Sequence, residues 1–363
     1  MEEVIDEQVG GKLLGHGVYG CAFMPPLLCR GEVRPRNRTF VTKLGRKEDL
    51  QGDFNKLKYL ADTVPKAEEY FSVPKNKTLC QPAIKQLESK EEIERCLRET
   101  DAISSYQLQG LRILNMNFVG KTIRSDGAIT SRTNIWKVGH HLLEGLTLLM
   151  VNGIVHGDLH SDNVAIDALG TVRILDFGNS IFMRSMRDIK ERDLENIFSR
   201  PFESLEEMTR YNQEPPEVPL YNAFFNNQNL NSVVEGIFIN RPKLVRNLQL
   251  VLGISRDAIK KQVREYRTNT AYFEDNPNLV EWWKHHWHTY DAWSGGYILL
   301  GLLMDLHTMG VKFDSGRLNK MKEALRGLLN FNCIKRLNAA QALAIWDSPN
   351  NPIITKYAKS WIS

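Results

Sequence analysis

The chain has 363 residues, 42% of them hydrophobic, and its 47 basic and 43 acidic side chains leave a net charge of +4. That is too apolar for a disordered chain, long for one core and suited to two lobes. The charge is too balanced to make nucleic acid the main partner. Five cysteines at irregular spacing (Cys21, Cys29, Cys80, Cys96, Cys333) read as reduced thiols of an intracellular protein rather than a disulfide frame. The acidic start MEEVIDEQ lacks the basic and apolar regions of a signal peptide. The apolar run 297–304 is too short for a bilayer and reads as a buried helix.

In chain order, residues 13–23 read LLGHGVYGCAF, a GxGxxG between apolar flanks. A dinucleotide site would open a helix here, but Pro25 and Pro26 stop one, so a strand-turn-strand flap fits better. Gly15, Gly17 and Gly20 would let backbone N–H groups approach phosphates with no Cβ in the way; a plain hairpin turn is the alternative. Residues 25–38 are proline-broken and basic, an extended hairpin connection. The β-run 39–44, TFVTKL, ends near Lys43, and 48–60 reads as a helix with Asp53 and Leu57 one turn apart. The charged stretch 88–106 reads as a solvated amphipathic helix. Residues 111–123, LRILNMNFVGKTI, read as a strand followed by a glycine turn.

Apolar residues at Ile135, Val138, Leu142, Leu146 and Leu149 follow helical spacing over 134–151, and Gly153 ends the helix. Then comes 154–180, IVHGDLHSDNVAIDALGTVRILDFGNS. Asp158 stands in a loop, Asn163 five residues on, and Asp176 precedes Phe177 and Gly178, with β-like 163–166 and 171–175 between. Phosphoryl transfer needs such a set: one carboxylate for the attacking hydroxyl, an amide oxygen and a second carboxylate for magnesium. His156 reads as a packed structural histidine and Asp158 as the proton acceptor.

On HGDLHSDN, DFG and the glycine run, the chain resembles the protein kinase superfamily. The resemblance implies that Lys43 grips the α and β phosphates of ATP and that an acid on the next helix pairs with it. Asp53 is the choice for that acid, with Glu48, Glu68 or Glu69 as alternatives. It also implies that Met116 backs the adenine pocket, Asn117 and Val119 offer backbone groups to adenine, and Gly120 begins the second lobe. PPE at Pro215, Pro216 and Glu217 looks like the end of an activation segment that includes a helical piece over 186–198. Arg336 stands where kinases keep the partner of that glutamate. DAWSGG, 291–296, resembles the motif whose aspartate ties down the catalytic loop.

Two residues depart from the pattern. Gly157 replaces the arginine that reads a phosphorylated loop, which argues against that form of regulation. His160 stands where Ser/Thr kinases place a lysine, and HGDLH is similar to the loop of aminoglycoside and choline phosphotransferases. WWKHHWH, 282–288, offers His285, His286 and His288 to a metal, but without cysteines or carboxylates at ligand spacing it reads as an aromatic packing surface. The whole pattern resembles divergent Ser/Thr kinase-like proteins of large nucleocytoplasmic DNA viruses.

The expected fold is α+β and two-lobed: a β-rich ATP-binding lobe over 1–119, then a mainly helical lobe over 120–363 with an insert around 218–290, ATP lying in the cleft. The expected activity is transfer of the γ-phosphate of ATP, with Mg2+, to Ser/Thr hydroxyls of a protein substrate by a monomer without a membrane partner. Lys43, Asp158 and Asn163 are catalytic, and Asn163 and Asp176 bind the metal. The resemblance implies host cytoplasm or virion as location. A small-molecule phosphotransferase and a pseudokinase scaffold are the alternatives.

Overall fold

A computed structural model describes residues 12–17, 20–32, 40–83, 91–100, 108–183, 189–198, 202, 204–269 and 278–362. The protein is α+β, with a small antiparallel sheet near the N-terminus and a largely helical C-terminal part. It divides into two compact units, Met1–Val119 with Asp176–Gly178, and Gly120–Leu175 with Asn179–Ser363. Among the described residues no helix is long and apolar enough to cross a membrane.

In the first unit, β1 (Lys12–Gly17), β2 (Gly20–Met24), β3 (Phe40–Arg46) and β4 (Leu111–Asn117) form an antiparallel sheet in that order. The glycine run therefore lies on two paired antiparallel strands, with Gly17 opposite Gly20; Val18 and Tyr19 lie outside the described residues. On β3, Thr42 and Leu44 are buried on either side of Lys43, and this period of two turns the lysine to the opposite face. Helix α1 (Lys47–Thr63) buries Leu50, Phe54, Leu57 and Leu60, spaced for one helical face. A short α2 (Ala67–Tyr70) and α3 (Glu91–Glu99) follow.

The cysteines correct the expectation of reduced thiols. Cys21 on β2 is bonded to Cys96 on α3, and Cys29 to Cys80; Cys333, in the second unit, is a buried thiol. The partners lie 75 and 51 residues apart in sequence, so only the folded sheet reveals their proximity. The charged run is likewise not wholly solvated: Ile93 and Cys96 are buried in one core with Leu13, Phe23, Leu44 and Ile113. The remainder of that run, like residues 33–38 of the basic connection after β2, lies outside the described residues. Each bridge closes a long loop and should contribute about 2–4 kcal/mol through the unfolded chain. Melting with and without a phosphine reductant should show a clear drop in Tm in the reduced protein; identical curves, with all thiols titrating as free, would remove the bridges.

The second unit opens with β5 (Lys121–Thr122). Helix α4 (Ile135–Val151) starts at Asn134, whose side chain accepts the Lys137 N–H at 3.2 Å. β6 (Ile154–Val155), β7 (Val164–Ile166), β8 (Val172–Ile174) and β9 (Ile181–Phe182) frame the loop containing Asp158: β5, β7 and β8 make one small sheet, β6 and β9 another. Then come α5 (Glu191–Phe198), α6 (Leu205–Thr209), α7 (Glu217–Phe225), α8 (Leu230–Ile239), α9 (Pro242–Leu252), α10 (Arg256–Asn269) and α11 (Leu279–His286). Last are α12 (Tyr290–Thr308), α13 (Ser315–Leu328) and α14 (Ala339–Trp346). The run 297–304 lies in α12, where Ile298 to Leu300, Leu302 and Leu303 are buried. Gly139 of α4 faces the Trp346 ring, which a Cβ would meet at 2.1 Å, and this contact lets α14 close onto α4.

The histidine-tryptophan cluster is a packing surface. Trp282 and Trp283 are buried against Tyr221, Phe198 and Tyr290. Burial, with the neighbouring His288 and His285, lowers the His286 pKa to about 4, and burial with Arg336 does the same to His288. Both fold as neutral imidazoles from an ordinary value of 6.5, so the unfolded chain binds more protons between these limits. Their contribution is present above pH 6.5 and is lost as pH falls toward 4. Tm should fall over that window, with a shallower slope in His288→Gln; a flat Tm would contradict this.

Candidate active site

In the first unit, β3 presents Lys43 to α1, where Asp53 receives it. Lys43 Nζ donates to Asp53 Oδ2 at 2.6 Å, and Asp176 Oδ1 lies 3.9 Å from the same nitrogen. Glu68 and Glu69 pair elsewhere, with Lys75 and Lys66. Burial works against the Lys43 ammonium, but Asp176 and Asp53 together outweigh it and raise its pKa. The charge on Lys43 is thus secured beside two carboxylates.

Asp176 has φ +54°, an unusual conformation for a residue other than glycine. Its Oδ1 accepts the Gly178 N–H at 3.2 Å, while Phe177 packs edge-on against Phe71 with ring centres 5.7 Å apart. The phenylalanine anchors the turn and leaves the carboxylate 53% exposed. Lys56, one turn beyond Asp53 on α1, donates to the Gly178 carbonyl. Burial lowers its pKa against the pull of Asp53 and Asp176. The sequence reading passed over Lys56, although its i+3 spacing from Asp53 was a usable signal.

The glycines differ in what requires them. A Cβ on Gly20 would meet the Leu44 carbonyl oxygen at 2.3 Å, so the sheet itself demands glycine there. At Gly15 a Cβ would meet nothing within 4 Å, so no described neighbour demands it. On β4, Met116, paired with Val41, and Asn117, paired with Phe40, end the strand, and Val119 closes the unit.

In the second unit, Asp158 is held from several sides. Asn179 Nδ2 donates to Asp158 Oδ2 at 3.0 Å, His160 Nε2 lies 3.9 Å from Oδ1, and Asn163 Nδ2 donates to the Asp158 carbonyl at 2.9 Å. Asn163 Nδ2 also lies 3.1 Å from His160 Nε2. Its amide nitrogen is thereby engaged, which leaves Oδ1 as the group suited to a cation. His156 is fully buried; Nε2–H donates to the Leu175 carbonyl at 2.8 Å and Nδ1 accepts the Asp158 N–H at 3.3 Å. With both nitrogens used, it is a structural brace.

The loop is fixed by Asp291 at the start of α12, whose Oδ2 and Oδ1 accept the His156 and Gly157 N–H groups at 2.6 and 3.1 Å. Burial raises the Asp291 pKa against the pull of His156 and these two bonds. Gly157 has φ +77°, and a Cβ there would meet the Asn179 carbonyl oxygen at 2.8 Å, so no arginine fits without moving the backbone. Glu217 and Arg336 form a bidentate pair, Nη2 to Oε1 at 2.7 Å and Nη1 to Oε2 at 3.2 Å, both side chains 1% exposed.

Of the residues singled out in the sequence, Lys43, Asp53 and Asp176 meet in the first unit, and Asp158 and Asn163 in the second. Among the described residues no three His, Cys, Asp or Glu side chains gather as a metal cage. Mg2+ needs no such cage, because it is bound through one or two carboxylates with water and substrate phosphates. No protein-family model matches the chain, and no curated protein matches it.

Proposed function

We propose that the protein is an ATP- and magnesium-dependent kinase that phosphorylates hydroxyl groups of a protein, of the Ser/Thr class, on a two-lobed kinase-like fold. The observation that carries this reading is the Lys43–Asp53 pair at 2.6 Å with Asp176 3.9 Å away: a secured cation beside a carboxylate able to hold a metal. Lys43 orients the phosphates of ATP, and Gly15, Gly17 and Gly20 bring backbone N–H groups to them. Met116, Asn117 and Val119 border the adenine. Asp158, its carboxylate oriented by Asn179, accepts or positions the hydroxyl proton. Magnesium, held by Asn163 and Asp176, would neutralise charge on the transferring phosphoryl group.

A protein acceptor is favoured by the buried Glu217–Arg336 pair and the Asp291 tie, which build the second unit around the Asp158 loop. His160 beside Asp158 supports a second reading, a small-molecule phosphotransferase. The deciding experiment is a phosphoacceptor panel with labelled ATP and Mg2+, using phosphatase-treated protein against dephosphorylated casein, serine, threonine and tyrosine peptides, aminoglycosides and choline. Label should enter serine or threonine without prior phosphorylation of the enzyme, because Gly157 leaves no arginine to wait for it. Label in an aminoglycoside or choline alone would establish the second reading; none in any acceptor, with nucleotide still bound, would leave a scaffold.

A further inference from the structure

Arg241 stands in the insert, just before α9, and its side chain is buried (0% exposed). Its Nε donates to the Thr209 carbonyl at 2.9 Å and its Nη1 to the Glu214 carbonyl at 2.6 Å, the two ends of one short stretch of backbone. Between them, Trp293 Nε1 donates to the Asn212 carbonyl at 3.2 Å and Ser294 Oγ to the Gln213 carbonyl at 2.8 Å. Four carbonyls within 209–214 are thus held by side-chain donors from two places, the insert and the first turn of α12.

That same first turn holds the Asp158 loop. Asp291 binds the His156 and Gly157 N–H groups, and Trp293 and Ser294, two and three residues on, bind 212–213. A single turn of helix therefore holds both the stretch 209–214 and the loop whose carboxylate meets the acceptor hydroxyl in the proposed reaction. The insert helix is itself fixed at its far end, where Arg326 donates twice to the Leu252 carbonyl at 3.1 and 2.7 Å. Removing an arginine from water is costly, and a site that only needed packing would use an apolar residue. A planar fork spanning two carbonyls suits a site that needs geometry.

We propose that Arg241 is a positioning residue that lets the insert hold residues 209–214 as the acceptor-side platform, governing how a protein substrate is placed and not how ATP is bound. The assignment of an acceptor side rests on the kinase reading; the clamp does not.

The experiment compares Arg241→Met and Arg241→Lys with the unaltered protein. With dephosphorylated casein as acceptor, Arg241→Met should raise the casein KM about tenfold or more, since small misplacements near a reacting group are costly. The KM for ATP should stay within twofold. Arg241→Lys, keeping charge and donors without the planar fork, should fall between. Hydrogen exchange, which needs no activity, should accelerate at the amides of 205–216 in Arg241→Met and remain unchanged in α4 and the β7–β8 pair; if Arg241→Met does not fold, Arg241→Lys supplies the same comparison. Equal rises in both KM values, or unaltered exchange over 205–216, would overturn the proposal. Accelerated exchange in a protein that phosphorylates nothing would uphold the clamp and reject the kinase reading.

Discussion

Asp176→Ala should abolish magnesium-dependent ATP turnover while the protein stays folded. The carboxylate is half exposed and lies 3.9 Å from the Lys43 ammonium, so its loss removes little from the core. An ion pair of that exposure is worth about 0–1 kcal/mol. Catalysis is another matter. A bound metal supplies several kcal/mol of charge stabilisation, and each 1.36 kcal/mol is tenfold in rate, so losing a ligand should cost about a thousandfold. Because Asp176 has φ +54°, alanine adds backbone strain that asparagine tolerates better. Asp176→Asn separates the two effects: it should be nearly as inactive with an almost unchanged Tm. Turnover near that of the unaltered protein in either folded variant would remove Asp176 from the mechanism.

The Lys43–Asp53 pair was legible because its two members lie close in sequence. A β-run places Lys43, the next helix begins at Lys47, and Asp53 falls on its second turn. The sequence left Glu48, Glu68 and Glu69 open as partners; the fold decides because α1 brings Asp53 to the lysine. The Glu217–Arg336 pair, 119 residues apart, was legible only from the order of motifs. The disulfides were not legible, since spacing along the chain says nothing about which strand and helix become neighbours. Arg241 was hidden for a similar reason: in sequence it is one of several lysines and arginines between 241 and 267, and only burial distinguishes it. Lys56 could have been found by counting one turn on from Asp53, but a lysine on a charged helix carries no mark of its role.

Breaking the Glu217–Arg336 pair should lower stability more than any other single change considered for the second unit. Both side chains are buried, and Arg336 also donates to the Asn330 carbonyl at 2.9 Å and lies over the Trp293 ring at 5.0 Å. Removing one partner of such a pair strands the other charge at about 3–5 kcal/mol, a large share of the 5–15 kcal/mol that stabilises a typical domain. The two removals should be unequal. Glu217 also attracts Arg241, whose pKa burial lowers to about 10 against the pull of Glu214 and Glu217. Arg336→Met therefore leaves Glu217 with a second cation nearby, whereas Glu217→Gln leaves two buried guanidinium groups sharing one fewer anion. Glu217→Gln should be the more destabilising single substitution, and the double variant should be less destabilised than the sum, with a coupling of about 1–3 kcal/mol in chemical denaturation. A coupling near zero, with all variants folded and unfolding in one step, would mean that the charges do not lock the end of the 176–217 segment to the stretch between α13 and α14 that carries Arg336. The main structural support for a protein acceptor would then be lost, and the small-molecule reading would gain.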